Sequence, residues 1–437
     1  MGGHAHEHFH VVLLQHSAHC GLEMIRLPKP PSRLSRTEFT VMLAFIMALQ
    51  ALGIDAMLPA LGDIAAELNV TNENDRQLVV GTYLMGMGAG ALVFGFLADR
   101  FGRKPVVLAG IGTYCLFDFG CMVINDFNAL LMLRFANGMV ASAGSVVANA
   151  IVRDRFEGDA MARVVSMIAV VFMVVPVVAP TIGQMILLVA GWRSIFGLMF
   201  VTGVVMFLWV LFRLPETLAQ HQKQPLDPRL ILNNLRLVMT NRDAFGYIYG
   251  ATLVFAGLYG YINCAEQLVG EHFGLGENFA YVFGAMALFM AMASFVNSRI
   301  VERFGARRVS HTALLIFVLT GAAQLVAATL APDNFYIFAP LMTINLALIG
   351  FLGSNFSSIA LQPFRHFAGS ASSFQTTVRV GGGALLGAVI GAAYDGTAGP
   401  LGLALFSLSL MGLLLILYSE RGKLFRRRKE TVPQVEG

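Results

Sequence analysis

The chain is predicted to be an all-α integral membrane protein, with twelve transmembrane helices arranged as two six-helix pseudo-repeat bundles. Three observations predict the architecture. Of 437 residues, 56% are hydrophobic and only 13% charged, more apolar surface than a water-soluble core can hide. The apolar residues fall in continuous runs of about 20, the length that crosses roughly 30 Å of hydrocarbon. Runs without polar alternation must be helices, because lipid leaves no water to satisfy open strands. Finally, GFLADRFGRK at 95–104 sits between two such runs and returns in weaker form as SRIVERFGAR at 298–307. The bundle is therefore duplicated.

Along the chain the runs lie near 39–60, 77–98, 105–125, 128–151, 163–188 and 193–213, then 244–266, 279–299, 309–330, 335–357, 373–394 and 400–418. The first follows Arg26, Lys29, Arg33 and Arg36 and carries Asp55 and Pro59 towards its far end. The second holds Gly86 and Gly90 at the spacing that lets helices approach closely and stops at the first charged loop. The fourth carries Arg134, Gly138, Ser142, Ser145 and Asn149. Their spacings of four, four, three and four define one polar face. The fifth contains Pro176 and Pro180, which interrupt backbone hydrogen bonds and permit bending; Pro59, Pro176, Pro180 and Gly183 are the expected hinge positions. The sixth ends at a segment rich in proline and charge, and the eighth at the second charged loop. The eleventh has Gly383, Gly387 and Gly391 at close-packing spacing, and the twelfth is followed by Arg426, Arg427, Arg428 and Lys429.

These runs divide the chain into a disordered cytoplasmic tail (1–36), a six-helix bundle (37–213), a cytoplasmic linker (214–243), a second bundle (244–418) and a basic cytoplasmic tail (419–437). The first tail holds six of the ten histidines; an unstructured extension and a metal-sensing tail are both open readings, as is initiation at Met24. Basic residues crowd the loops after even-numbered spans, whereas Asp63, Glu67, Glu73, Asp75, Glu271 and Glu277 populate the opposite loops. By the positive-inside rule both termini are cytoplasmic. The net charge of +4 records orientation and attraction to anionic lipids, not nucleic-acid binding. The four cysteines lack metal-ligand or disulfide-framework spacing. No GxxxxGKS loop, catalytic carboxylate pair or nucleophile elbow is present, so neither direct ATP coupling nor enzyme activity is expected. No cofactor or metal is expected.

Ionisable residues inside spans are functional candidates, because a charge at the bilayer centre costs roughly 2.5 to 3.5 kcal/mol. Counting 1.5 Å per residue puts Asp55 and Arg134 at a common depth. They could form a titrating pair or a permanent ion pair holding spans 1 and 4 together. Asp118 lies at similar depth as a structural partner or a proton relay. Arg379 in span 11 either snorkels towards the cytoplasm or meets an anionic substrate; Glu266 either attracts cationic substrates or is a solvated helix end. Tyr83, Phe172, Tyr247, Tyr259 and Asn345 are further candidates for the substrate cavity, together with Ser142, Ser145 and Asn149. In the first loop, Gly95 and Gly102 permit close approach and a tight turn. Asp99 can cap the next helix or pair with a basic residue from span 4 or its following loop, and Arg100, Arg103 and Lys104 are expected to face the anionic leaflet. Glu302, Arg303 and Gly305 are their counterparts in the second copy, and the two loops form a cytoplasmic gate.

The loop residues Gly95, Leu97, Asp99, Arg100, Gly102, Arg103 and Lys104 resemble the loop 2–3 signature of the major facilitator superfamily. Within it, IDAMLPAL at 54–61, Arg134 with Gly138, Arg153–Asp154, Ala179–Pro180 with Gly183, GWRSIF at 191–196 and LPETL at 214–218 resemble the Bcr/CflA group of drug:proton antiporters. The chain departs from that pattern at Gln184 and at Cys264–Ala265–Glu266, where the group tends to have Ser-Pro. The resemblance implies a proton-coupled exporter of small amphipathic drugs or toxic compounds in a bacterial inner membrane, acting as a monomer by alternating access. Asp55 and Arg134 map to its proton-coupling positions. An exporter or facilitator of a physiological metabolite and a non-transporting sensor remain the alternatives.

Overall fold

The structure, a computed structural model, describes residues 34–156, 158–218 and 228–425. Most of the histidine-rich tail and the basic run 426–429 lie outside the described residues. Among the described residues every regular element is helical. The first half comprises α1 (Arg36–Asp55), the short α2 (Leu61–Glu67), α3 (Leu78–Phe101), α4 (Arg103–Val123), α5 (Phe127–Arg155), α6 (Gly158–Ala190) and α7 (Arg193–Arg213). After the connecting α8 (Pro228–Thr240) come α9 (Arg242–Ala265), α10 (Phe279–Phe304), α11 (Ala306–Leu330), α12 (Phe335–Leu361), α13 (Ala368–Thr377), α14 (Gly383–Ala392) and α15 (Gly399–Ser419). Ten helical stretches are long and apolar enough to cross a membrane. The two other expected spans correspond to α6, apolar over Val174–Ala190, and to α13 and α14, joined by a π-helical turn at Val378–Gly382.

The first span ends earlier than its hydropathy suggests. Helix α1 starts on a Ser35 cap, whose hydroxyl accepts from the Glu38 amide at 3.1 Å, and stops at Asp55. Pro59 has no N–H to give to the carbonyl four residues back. The chain turns through Leu58–Ala60 and resumes as α2. Pro59 thus terminates a helix, whereas Pro176 and Pro180 lie inside the unbroken α6. Gly183, expected as a hinge, is a packing contact: a Cβ there would collide with the carbonyl of Ala56 at the α1 break.

The two halves close themselves in the same way. Gly102, at φ +108°, joins α3 directly to α4, and Gly305, at φ +83°, joins α10 to α11. Both angles are in the region that favours glycine. Past the end of α7, the Glu216 carboxylate accepts from the amides of Arg103 at 3.0 Å and Lys104 at 3.2 Å. These are donors that the start of a helix leaves without intrahelical partners, and a negative charge suits that end of the helix dipole. The Lys104 ammonium reaches the Leu211 carbonyl at 2.9 Å. In the second copy Arg307 stands where Lys104 does, and its Nε donates at 2.9 Å to Glu420, the residue after α15. Each half therefore fastens its third long helix to the end of its sixth.

Glycines set the closest crossings within each half. Gly86 and Gly90 of α3 face the carbonyls of Phe135 and Met139 on α5, and Gly138 of α5 faces that of Tyr83 on α3. Between the halves, α6 packs on α10, and α3 runs along α13, the π turn and α14. There Gly88 and Gly381 meet backbone to backbone: a Cβ on Gly381 would lie 3.4 Å from the Cα of Gly88.

Replacing Glu216 removes an anionic cap shared by two amides. Glu216→Ala should lower the folding stability of the purified protein by about 1 kcal/mol, read as a lower melting temperature in detergent. An unchanged melting temperature would show that the cap carries no stability.

Candidate functional site

Two neighbouring voids lie between the halves. The inner one, about 440 Å³, is walled by Phe255, Leu258, Tyr259, Phe283, Met290 and Pro176, with Asp55 and Arg379 as the acid and the base among its described lining residues. The other, about 280 Å³, extends to the end of the bundle that carries the charged loops, here called the basic face. Gln50, Met87, Arg379 and Val380 line both. The structure brings Ser142, Ser145 and Asn149 together along the second void, beside Asp99, Arg103 and Arg153. Their face continues up α5 to Gly138 and Arg134, but the upper part is packed, not open.

At the opposite, acidic face the halves are latched by side chains. Arg76 bridges to Glu271 at 2.7 Å and lies 3.6 Å from Glu266. Gln77 hydrogen-bonds Gln267. Asn74 donates to the Tyr394 carbonyl at 2.8 Å and accepts from Gln267 at 3.2 Å. Glu266 is therefore part of this latch and not a wall of the inner void, which corrects its expected role. The π-helical continuation of α9, Glu266–His272, supplies three of these partners.

Arg134 and Asp55 do not form the expected pair. Arg134 is fully buried; its Nη2 donates to the Gly53 carbonyl at 2.6 Å and its Nε to the Val79 carbonyl at 3.0 Å. The guanidinium lies 4.2 Å from the Tyr83 ring centroid and 5.7 Å from that of Phe196. Among the described residues no carboxylate ion-pairs with it. Gly53 lies near the C-terminal end of α1, where carbonyls run out of intrahelical partners and a cation is favoured. Asp55, two residues on, lines the void while Arg134 stays behind the wall. Tyr83, expected in the cavity, is buried under Arg134, its hydroxyl donating to the Gln50 carbonyl at 3.2 Å. Asp118 is fully buried, accepts from Asn137 at 2.6 Å, and lines neither void.

Three further expectations are corrected by side-chain direction. The Tyr247 hydroxyl donates to Glu420 at 2.6 Å and pairs with His311 at 2.9 Å, in a buried node near the basic face. Asn345 turns towards α11, where its Oδ1 accepts from Thr320 at 2.5 Å. Arg103 and Lys104 do not face the leaflet. Both are buried, with Arg103 donating to Asp99 at 2.6 Å and to Asp154 at 2.9 Å. Arg100 is exposed. Asp99 pairs with Arg103 of its own loop, and Glu216 takes the capping role. Glu302 and Arg303 are also exposed, Arg303 lying over the Phe304 ring; the polar contact of the second copy is made by Arg307. Gly95 packs against Ser373 of the other half. Tyr259 and Arg379 line the inner void, so Arg379 does not snorkel away from it. The Phe172 side chain lies outside what the structure describes.

Sequence reasoning missed Gln50, Arg76, Glu216, Arg307 and Glu420. Arg76 carried one signal, being one of the few bases in the acidic loops. Glu216 and Glu420 carried another, an acid just past the sixth span of each half.

Comparison with known proteins agrees with this architecture. The family model described as Major Facilitator Superfamily matches residues 43–388. A bicyclomycin resistance protein homolog of Haemophilus influenzae is 30% identical over 364 residues, covering 83% of this chain and 91% of that protein. The multidrug resistance protein MdtL of Escherichia coli is 30% identical over 395 residues, covering 89% and 97%. Among solved structures, the nucleoside transporter NupG superposes with a TM-score of 0.64 at 14% identity, covering 87% of this chain and 99% of that one. A human organic anion transporter superposes with a TM-score of 0.58 at 17% identity, covering 88% and 100%. These two likenesses concern the fold alone. With a family model matched across most of its length and relatives at this identity, the chain is a multi-pass membrane transporter, not an enzyme, and belongs to the major facilitator superfamily.

Proposed function

We propose that the protein is a proton-coupled antiporter that exports small amphipathic compounds, drugs or toxic molecules among them, from a bacterial cytoplasm by alternating access. The observation that carries this reading is the inner void: an apolar cavity between two six-helix halves, with Asp55 as its only carboxylate among the described lining residues. The names of the two relatives, for resistance to bicyclomycin and to multiple drugs, support the class of cargo. The positive-inside rule assigns the basic face to the cytoplasm, with both termini there and anionic lipids around it. The form described is then inward-facing, latched at the outer surface through Arg76 and Gln77. We take the monomer as the working unit.

In this mechanism Asp55 exchanges its proton for cargo, and Arg134 is a positioning residue that fixes the end of α1 on which Asp55 sits. The loop at 95–104 acts as the cytoplasmic gate. Its ion pairs, Arg103 with Asp99 and Asp154, keep the loop rigid, and Gly95 allows the C-terminal half to close against it. Opening outward requires the Arg76 and Gln77 contacts to part while this surface closes. Asp118, buried and held by Asn137, is a structural carboxyl of the first half.

Two outcomes test this. Asp55→Asn should abolish pH-driven transport in proteoliposomes by the folded protein even at saturating ligand; transport that still follows the imposed gradient would remove Asp55 from the coupling. Arg76→Ala should loosen the outer latch, so that a cysteine introduced at Asn263, facing Gln77's neighbourhood, reacts several-fold faster with an impermeant thiol reagent added from outside. Equal reactivity would mean that the latch does not hold the outer surface closed.

A further inference from the structure

The inner void holds two opposite charges, one from each half. Asp55 lies at the end of α1, and Arg379 lies in the π turn between α13 and α14. They do not neutralise each other, since among the described residues neither is ion-paired. Arg379 donates from Nη1 to the Ser357 hydroxyl at 3.1 Å, lies 4.9 Å from the Phe255 ring centroid, and leaves its buried Nε without a partner. A guanidinium has five donors in a planar fork that matches a carboxylate, and an uncompensated cation at membrane depth is costly. Such a group is kept where an arriving anion completes it. Arg379 also lines the cytoplasmic void, so it meets cargo that moves from one to the other.

An anion alone fits poorly, because ionised Asp55 in the same cavity would repel it. A cation alone leaves Arg379 uncompensated and is repelled by it. The two charges together select a molecule that carries both.

We propose that the cargo is a zwitterionic amphiphile, an acid and a basic amine on one aromatic or apolar body, with the acid on Arg379 and the ammonium on Asp55. This rests on the transport reading above and names its substrate class. The arrangement gives exchange the correct sign: the ammonium and a proton compete for one carboxylate, while the acid group remains anchored on the other half. A ligand held at both ends also draws the two halves together. The apolar walls, Phe255, Tyr259 and Phe283 among them, accept the body of the molecule through contact area and stacking.

The test compares matched ligands on the full-length protein in detergent, by thermal shift. Tryptophan and the dipeptide phenylalanylphenylalanine are each compared with their carboxamide, which lacks the acid, and their N-acetyl derivative, which lacks the amine. The wild type should bind the zwitterions at least about ten-fold more tightly than either derivative, the scale of a charge-assisted hydrogen bond. Arg379→Gln should erase the preference over the carboxamide but keep that over the N-acetyl form. Asp55→Asn should do the reverse, and Arg379→Lys should retain part of the first preference. Equal binding of a zwitterion and its singly charged derivatives by the wild type, or no binding of either zwitterion, overturns the proposal without any variant needing to fold. Transport in proteoliposomes separates this from the antiporter reading. Discrimination in binding without pH-driven movement would sink the antiporter and leave the ligand class. Efficient pH-driven export of singly charged derivatives would sink the ligand class and leave the antiporter.

Discussion

The guanidinium of Arg134 reaches into two neighbouring helices and holds both by backbone carbonyls, Gly53 of α1 and Val79 of α3. A buried cation usually needs a counter-ion. Here partial charges supply the compensation: carbonyl dipoles near a helix end, and the faces of Tyr83 and Phe196. The consequence is geometric. Because Pro59 stops α1 at Asp55, a free helix end lies deep in the bundle, and Arg134 makes that end a fixed point. Asp55, two residues beyond Gly53 and facing the void, inherits the precision of that clamp without being neutralised by it. An ion pair between the two would have held α1 equally well, but would have left the carboxylate unavailable.

The elements of the fold were largely legible because hydropathy and charge report a membrane directly. Hydropathy puts the sixth span at 193–213, which are the bounds of α7, and the loop at 95–104 announces both its glycine turn and its charge. What was not legible is direction. Where a span is apolar on most sides, unlike the polar-faced span 4, periodicity does not say whether Asn345 turns to the void or to α11, or whether Tyr247 joins the cavity or the Glu420 node. Arg134 was found by depth, but carbonyl partners leave no trace in a sequence, so Asp55 looked like its mate. Glu216 and Glu420 lie more than a hundred residues from the bases they meet. Only the duplicated geometry pairs them.

The two surfaces of the transporter are built on different principles. The acidic face is closed by polar side chains reaching across, Arg76 to Glu271 and Gln77 to Gln267. On the basic face the ion pairs seen among the described residues join groups of the same half: Arg103 with Asp99 and Asp154, Arg307 with Glu420. Each half can therefore remain rigid at the basic face while the gap between the halves changes.

Between these surfaces, α3 and the π turn touch at Gly88 and Gly381. A contact made of bare backbone has no rotamers to rearrange and no side chain to lift out of a socket. In the alternating-access motion proposed above it would act as a smooth bearing with little friction of its own, leaving the barrier to the α6–α10 packing and the rims. Changes at the rims would then alter how often the machine turns over, whereas bulk added at the bearing would change whether it can turn at all.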